Sequence, residues 1–322
     1  MAVYTEVSDE DLSRFVAEYD IGRVISCKGI AEGVENSNFL LQTDRETFIL
    51  TIYERRVRVD DLPFFLDLME YLARAGVACP TPLHGRDGCA LRTLCGRPAA
   101  VVTFLAGMWP KRVTPAHCLA LGEALARLHL AGQNYPGVRH NALSVGNWRP
   151  LFEVEAKRAN SVLPGLADEI RRELDHLERW WPVALPSGVI HADLFPDNVF
   201  FHEEQISGVI DFYFACNDFF AYDIAVCLNA WCFESDGAFN VTKGQWLLSA
   251  YHRVRPLTEV EISMLPLLAR GAAMRFLLTR LYDWLNTPAG AFVKPKNPLE
   301  YVRKMHFHRN ATHPKAYGVV AT

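Results

Sequence analysis

The segment His191-Ala192-Asp193-Leu194-Phe195-Pro196-Asp197-Asn198, followed by Val209-Ile210-Asp211-Phe212, carries the strongest concentration of chemically capable side chains in this 322-residue sequence. A carboxylate and an amide share one short loop, and a second carboxylate follows after a run of apolar residues. That set suits metal-assisted phosphoryl transfer, in which a divalent cation needs hard oxygen ligands and the attacking hydroxyl needs an oriented acceptor for its proton. Asn198 and Asp211 have the donors for the metal, and Asp193 is placed to take the proton. For any one of these residues the plainer alternative is an Asx-rich turn cornered by Pro196. The ensemble, with strand-like runs between its parts, favours the catalytic reading.

The elements that must position this loop are legible from spacing. Ser8 with Asp11 resembles a capping box before Leu12, Phe15, Val16 and Tyr19, which predicts a short first helix. Three strand-like segments follow at 23–28, 38–43 and 47–53, and then a helical stripe from Asp60 to Ala75 closed by Gly76. Two more strands, near 91–95 and 99–105, complete a five-stranded, one-helix N-terminal lobe spanning residues 1–105. Residues 106–322 form a mostly helical C-terminal lobe in which a small hairpin lies between Val189 and Phe212. Thr114-Pro115 opens one helix, and Thr258 with Glu261 opens the last long one, ending near Asn286. His306, His308 and His313 are read as part of an exposed tail.

Length alone leads to two lobes, because single hydrophobic cores stop growing near this size. Half of the residues are apolar, 22% are charged and the net charge is -4, without a basic stripe, so no nucleic-acid partner is expected. No uninterrupted apolar run reaches roughly 18 residues, so no membrane partner is expected either. The first residues lack the basic-then-apolar start of a secretory leader, and the eight cysteines are read as reduced thiols of a cytoplasmic protein. The expected assembly is a monomer or homodimer.

The pattern H-x-D-x-x-x-x-N followed by I-D-F resembles the signature of the aminoglycoside and choline kinase-like phosphotransferases. Leu121-Gly122-Glu123-Ala124-Leu125-Ala126-Arg127-Leu128-His129 and Tyr222-Asp223-Ile224-Ala225 are similar to further segments of that superfamily. Glu35 to Phe39, Leu62 to Leu66, Val102 to Leu105, Asp211 to Asp218 and Cys227 to Phe233 resemble its homoserine kinase branch. The resemblance implies an α+β, protein-kinase-like two-lobed fold that uses ATP and Mg²⁺ to phosphorylate the hydroxyl of L-homoserine, giving O-phospho-L-homoserine for threonine biosynthesis. It implies nucleotide contacts from Gly29, Gly33, Ser37 and Asn38 over the phosphates, and from Thr103 and Leu105 beside the adenine. His191 and Asp223 become supports of the catalytic loop, and His129 a packed structural histidine.

One position departs from the superfamily. Its third strand carries a phosphate-pairing lysine, and the matching residue here is Thr51. Phosphate charge then falls to the metal, to backbone dipoles, or to Arg55 or Arg56. The zwitterionic acceptor needs cations for its carboxylate, and Arg275 and Arg280 on the apolar stretch 274–285 are the candidates, with Asp283 nearby; the alternative is that they face solvent or pair along their helix. Two other readings stay open at this level: a phosphotransferase for an aminoglycoside, choline or related amino alcohol, and a non-catalytic nucleotide-binding regulator.

Overall fold

Ser8 accepts the Asp11 amide and opens helix α1 (Asp9–Val16), whose Leu12, Phe15 and Val16 form one buried stripe. The computed structural model describes residues 4–30, 36–54, 58–288 and 294–319. Strands β1 (Val24–Gly29), β2 (Ser37–Thr43) and β3 (Thr47–Ile52) follow, then helix α2 (Leu62–Arg74), then β4 (Arg92–Leu94) and β5 (Arg97–Thr103). The five strands make one antiparallel sheet in the order β1-β2-β3-β5-β4.

Strand alternation gives this sheet two different faces. Phe39 pairs with Leu50 and Leu41 with Phe48, and these side chains pack with Leu12, Phe15 and Val16 of α1 into a small core of their own. Asn38 pairs with Thr51, and Thr51 with Ala100, on the opposite face. Ala100 and Tyr53 belong to the large core that continues through α2 into the helical part of the chain. The second face is therefore the one turned toward the loop 191–198.

Helices α3 (Pro115–Gly132), α4 (Val145–Ala159) and α5 (Leu166–Trp180) lead to four short strands, β6 (Ser187–Ile190), β7 (Val199–His202), β8 (Gln205–Val209) and β9 (Cys216–Phe219). Helices α6 (Phe220–Trp231), α7 (Val241–Val254), α8 (Glu259–Asn286) and α9 (Leu299–Asn310) complete the fold. Gly122 of the L-G-x-x-L-A-x-L-H segment has a packing reason: a Cβ there would run into the Leu247 carbonyl of α7. Capping boxes at Thr114, closed by His117, and at Thr258, closed by Glu261, start α3 and α8 where the sequence places them.

Two expectations are corrected. The hairpin β7–β8 is enclosed by a second ribbon, β6 paired with β9, in which Ile190 lies opposite Cys216. These strands are four residues each, too short for a period to show. The C-terminal histidines do not form an exposed tail. His308 on α9 is 2% exposed and bonds the Tyr317 hydroxyl at 2.8 Å and the Asn229 side-chain oxygen at 3.0 Å, while His306 meets Glu169 at 2.5 Å. Only His313, which accepts the Lys315 amide, stays exposed.

Helix α8 is long and apolar enough to cross a membrane by length and composition. It is instead the central helix of this fold, with Leu265, Leu268, Ala272, Met274 and Leu277 buried and with α4, α6 and α9 packed along it.

Candidate active site

The loop between β6 and β7 is held by side chains of α6 and α8, by the end of β8 and by its own Asn198. Buried backbone polar groups must be satisfied, and these partners take up most of those in 191–194. The Asp223 carboxylate, from the first turn of α6, accepts the amides of His191 and Ala192, each at 2.8 Å. Asn198 donates its side-chain N–H to the Asp193 carbonyl at 2.9 Å, and the Trp231 indole donates to the Leu194 carbonyl at 2.7 Å. Arg275 of α8 donates to the Ala192 carbonyl. His191 Nε2 donates to the Ile210 carbonyl at 3.0 Å, which leaves Nδ1 to accept the Asp193 amide at 3.3 Å.

Two residues of this cage sit in the left-handed region, Ala192 with φ 63° and Asp211 with φ 64°. A side chain with a Cβ resists that conformation by about 1–3 kcal/mol, so its presence means that the surroundings over-determine it. One flanks Asp193 and the other is the metal-ligand candidate itself.

Asp223 is fully buried, and beyond its two amides it accepts His129 Nε2 at 3.1 Å. His129 in turn accepts the Tyr251 hydroxyl on Nδ1 at 2.7 Å. Burial alone pushes the Asp223 carboxyl up, but the His129 bond, the neighbouring imidazoles and the backbone amides outweigh it and hold the carboxyl below its ordinary range. Burial lowers both the His129 and the His191 imidazole. The result is a buried carboxyl that takes hydrogen bonds from two amides and an imidazole beneath the loop.

The hairpin register brings the other two candidates together. Val199 pairs with Val209 and the Ile210 amide donates to the Asn198 carbonyl at 2.9 Å, so Asn198 and Asp211 stand at the same open end of β7–β8. With its N–H committed to the Asp193 carbonyl, Asn198 keeps Oδ1 as its remaining hard donor. An amide oxygen and a carboxylate are hard donors of the kind that would suit Mg²⁺. Among the described residues no cluster of three or more His, Cys, Asp or Glu is assembled for a caged metal.

The nucleotide candidates are placed unequally. Asn38 lies on the sheet face toward the loop and accepts the Thr51 hydroxyl at 2.9 Å. Ser37 lies on the opposite face, fully buried, where its oxygen accepts the Tyr4 and Thr5 amides and its hydroxyl donates to Glu54 at 2.7 Å. Its side chain is thus occupied in the fold. Gly29 ends β1 opposite Phe39 and is exposed; Gly33 and Glu35 lie outside the described residues, as do Arg55 and Arg56. Thr103 is pinned to residue 81 through its amide at 3.0 Å and its hydroxyl at 2.9 Å, and Leu105 rests on Gly208 of β8.

The two arginines neither point to solvent nor pair along their own helix. Arg275 is 2% exposed, with its guanidinium 3.7 Å from the Asp193 carboxylate and over the Phe276 ring at 4.4 Å. Arg280 bonds Glu300 of α9 at 2.6 Å and lies over Tyr301 at 4.5 Å. Three site features escape a reading by motif: the Trp231 anchor, a Tyr53–Tyr213 hydroxyl pair at 3.0 Å that joins β3 to the Asp211 turn, and Arg139, which bonds Asp61 at 2.9 Å and the Ala215 carbonyl at 3.1 Å. Tyr213 and Trp231 lie inside stretches that the family resemblance marks; Arg139 carries no local signal.

Comparison with known proteins identifies the chain's relatives. A family model described as phosphotransferase enzyme family matches residues 26–257. A homoserine kinase of Rhodospirillum rubrum is 65% identical over 319 residues, covering 99% of both chains, and one of Paramagnetospirillum magneticum is 64% identical over 325 residues, covering 99% of this chain and all of that one. In three dimensions the chain is similar to the amicoumacin kinase hAmiN, with a TM-score of 0.71 at 16% identity over 95% of each chain. A choline kinase from Cryptosporidium parvum gives a TM-score of 0.67 at 14% identity over 94% of this chain and 95% of that one, so the two-lobed kinase-like fold is shared. The chain belongs to the phosphotransferase enzyme family and, within it, to the homoserine kinases.

Proposed function

We propose that this protein transfers the γ-phosphoryl group of ATP to the side-chain hydroxyl of L-homoserine, forming O-phospho-L-homoserine and ADP for threonine biosynthesis. The observation that carries the reading is identity above three-fifths with homoserine kinases along essentially the entire chain. The aminoglycoside, choline and regulator alternatives have no comparable support.

In this reading residues 1–105 hold the nucleotide and residues 106–322 supply the catalytic loop and the acceptor site. Asp193 is the proton acceptor: as the acceptor oxygen forms its bond to the γ-phosphorus, the hydroxyl proton passes to the carboxylate and the bond to the ADP oxygen breaks. Asn198 Oδ1 and the Asp211 carboxylate hold Mg²⁺, which when bound neutralises charge on the phosphate oxygens. Asn38 and the backbone from Gly29 onward border the phosphates, and the Thr103 carbonyl and Leu105 amide border the adenine. Thr51, spent on Asn38, brings no cation to the nucleotide.

The reading is tested by ADP release with L-homoserine, L-serine, L-threonine and choline as acceptors. Turnover with homoserine alone is expected, and a choline preference would overturn it. Asp193→Ala should lower kcat by about 10²–10⁴-fold with ATP affinity retained, since loss of a general base affects the transition state rather than ground-state binding.

A further inference from the structure

Arg275 is buried against the residues that carry Asp193. Its guanidinium donates to the Ala192 carbonyl, lies 3.7 Å from the Asp193 carboxylate, and is covered by the rings of Phe276 at 4.4 Å and Phe214 at 5.4 Å. It is 2% exposed, and its Nε is a buried donor with no hydrogen-bond partner. A cation taken this far out of water is tolerated only when its charge is answered nearby. A guanidinium that gripped an incoming amino-acid carboxylate would need an open face, and this one is closed by two rings and a peptide. The peptide it closes on is the left-handed one, Ala192 with φ 63°, whose amide side is already held by Asp223. Arg275 and Asp223 therefore clamp the two ends of one strained residue that immediately precedes the proton acceptor.

We propose that Arg275 is a positioning residue for the catalytic base: it bolts the Ala192 carbonyl, stands beside Asp193, and so fixes the direction in which Asp193 meets the acceptor hydroxyl. The inference rests on the reading of Asp193 as the base. Lysine is a poor replacement, because a single ammonium cannot donate to the carbonyl and flank the carboxylate in one planar fork.

Kinetics of full-length Arg275→Gln, Arg275→Lys, Asp193→Asn and the Arg275→Gln/Asp193→Asn double variant test this. Misplacement of a reacting group by about an ångström costs on the order of 10²-fold. Arg275→Gln should therefore lose about 10²-fold in kcat with the KM for ATP and for homoserine within about threefold of wild type, and Arg275→Lys should lose less. Added guanidinium ion at low millimolar concentration should restore part of the Arg275→Gln rate and none of the Asp193→Asn rate. The double variant should be no slower than Asp193→Asn, because a residue that acts through Asp193 has nothing to position once the base is gone. A retained kcat with a raised homoserine KM would overturn the proposal in favour of direct acceptor binding. A double variant slower than Asp193→Asn by the full Arg275→Gln factor would overturn it as well. If Arg275→Gln does not fold, as read by its thermal unfolding, Arg275→Lys and its double variant carry the same comparison. Should wild-type protein turn over a different acceptor, the ratios are read with that acceptor, so failure of homoserine and failure of Arg275 are separate results.

Discussion

Asp223→Asn isolates the support beneath the loop 191–198. The native carboxylate accepts from the His191 and Ala192 amides at 2.8 Å and from His129 at 3.1 Å. Asparagine has the same outline but offers one oxygen and one NH₂, so one of the two backbone amides faces another donor. An unmade hydrogen bond to a charged acceptor costs about 1.5–3 kcal/mol, and the stranded, buried amide adds about 1–3 kcal/mol. The two add to about 2.5–6 kcal/mol, a range centred on the usual cost of about 3–5 kcal/mol for removing one partner of a buried charged pair. At about 2 °C per kcal/mol for a protein of this size, the unfolding temperature should fall by about 6–10 °C at pH 7.5, read by circular dichroism. The pH dependence follows from the depressed Asp223 carboxyl. A carboxyl whose folded value lies below its unfolded one stabilises fully above about pH 4, and the contribution is lost as pH falls through the folded value. The gap between wild type and variant should therefore be the same at pH 7.5 and pH 6 and close only below about pH 4. A variant within about 2 °C of wild type would show that the carboxylate does not carry the loop.

Two other outcomes are expected. Burial takes the His308 imidazole down to about 3, so the unfolded chain binds its proton first. Its stabilising contribution is whole above about pH 6.5 and is lost toward pH 3 at up to about 1.4 kcal/mol per pH unit, so urea midpoints between pH 7 and 5 should fall less steeply in His308→Gln. Tyr213→Phe leaves the buried Tyr53 hydroxyl without its partner and should cost about 1–2 kcal/mol, Tyr53→Phe should cost less because the Tyr213 hydroxyl keeps Thr51, and the double variant should cost less than the sum by about 1 kcal/mol in denaturant titrations.

Much of the architecture is legible from local chemistry. Turn and capping residues mark where elements start, which is why α3 and α8 begin where Thr114-Pro115 and Thr258 with Glu261 indicate. The five-stranded sheet and its single helix follow from alternating and helical runs long enough to show a period. The loop with Asp193 and Asn198 stands out because residue type and spacing together suit one chemistry, and hairpin pairing returns the backbone at Asp211 beside Asn198. What stays hidden is set by partners distant in sequence. Nothing adjacent to Arg275 says that it turns inward, because its reason is a carbonyl 83 residues earlier. Ser37 adjoins Asn38 in a phosphate-loop pattern, yet strand alternation sends its side chain to the opposite face, where Tyr4, Thr5 and Glu54 occupy it. The histidine-bearing helix α9 looks polar by composition, and only the interior partners Asn229 and Tyr317 explain its burial.

The Asn229 side chain has a consequence for the order of events during synthesis. Its amide donates to the Ala225 and Ala269 carbonyls, its oxygen accepts from His308, and Lys304 donates to the Asn229 backbone carbonyl at 2.8 Å. While the polypeptide is still emerging from the ribosome, α6 can coil and the sheet can close, but this asparagine stays short of an inward donor until residue 308 has left the exit tunnel. Trp231, two positions further along the same helix, carries the Leu194 carbonyl of the catalytic loop. One helix, α6, thus seats the histidine-bearing α9 at Asn229 and tethers the loop 191–198 at Trp231.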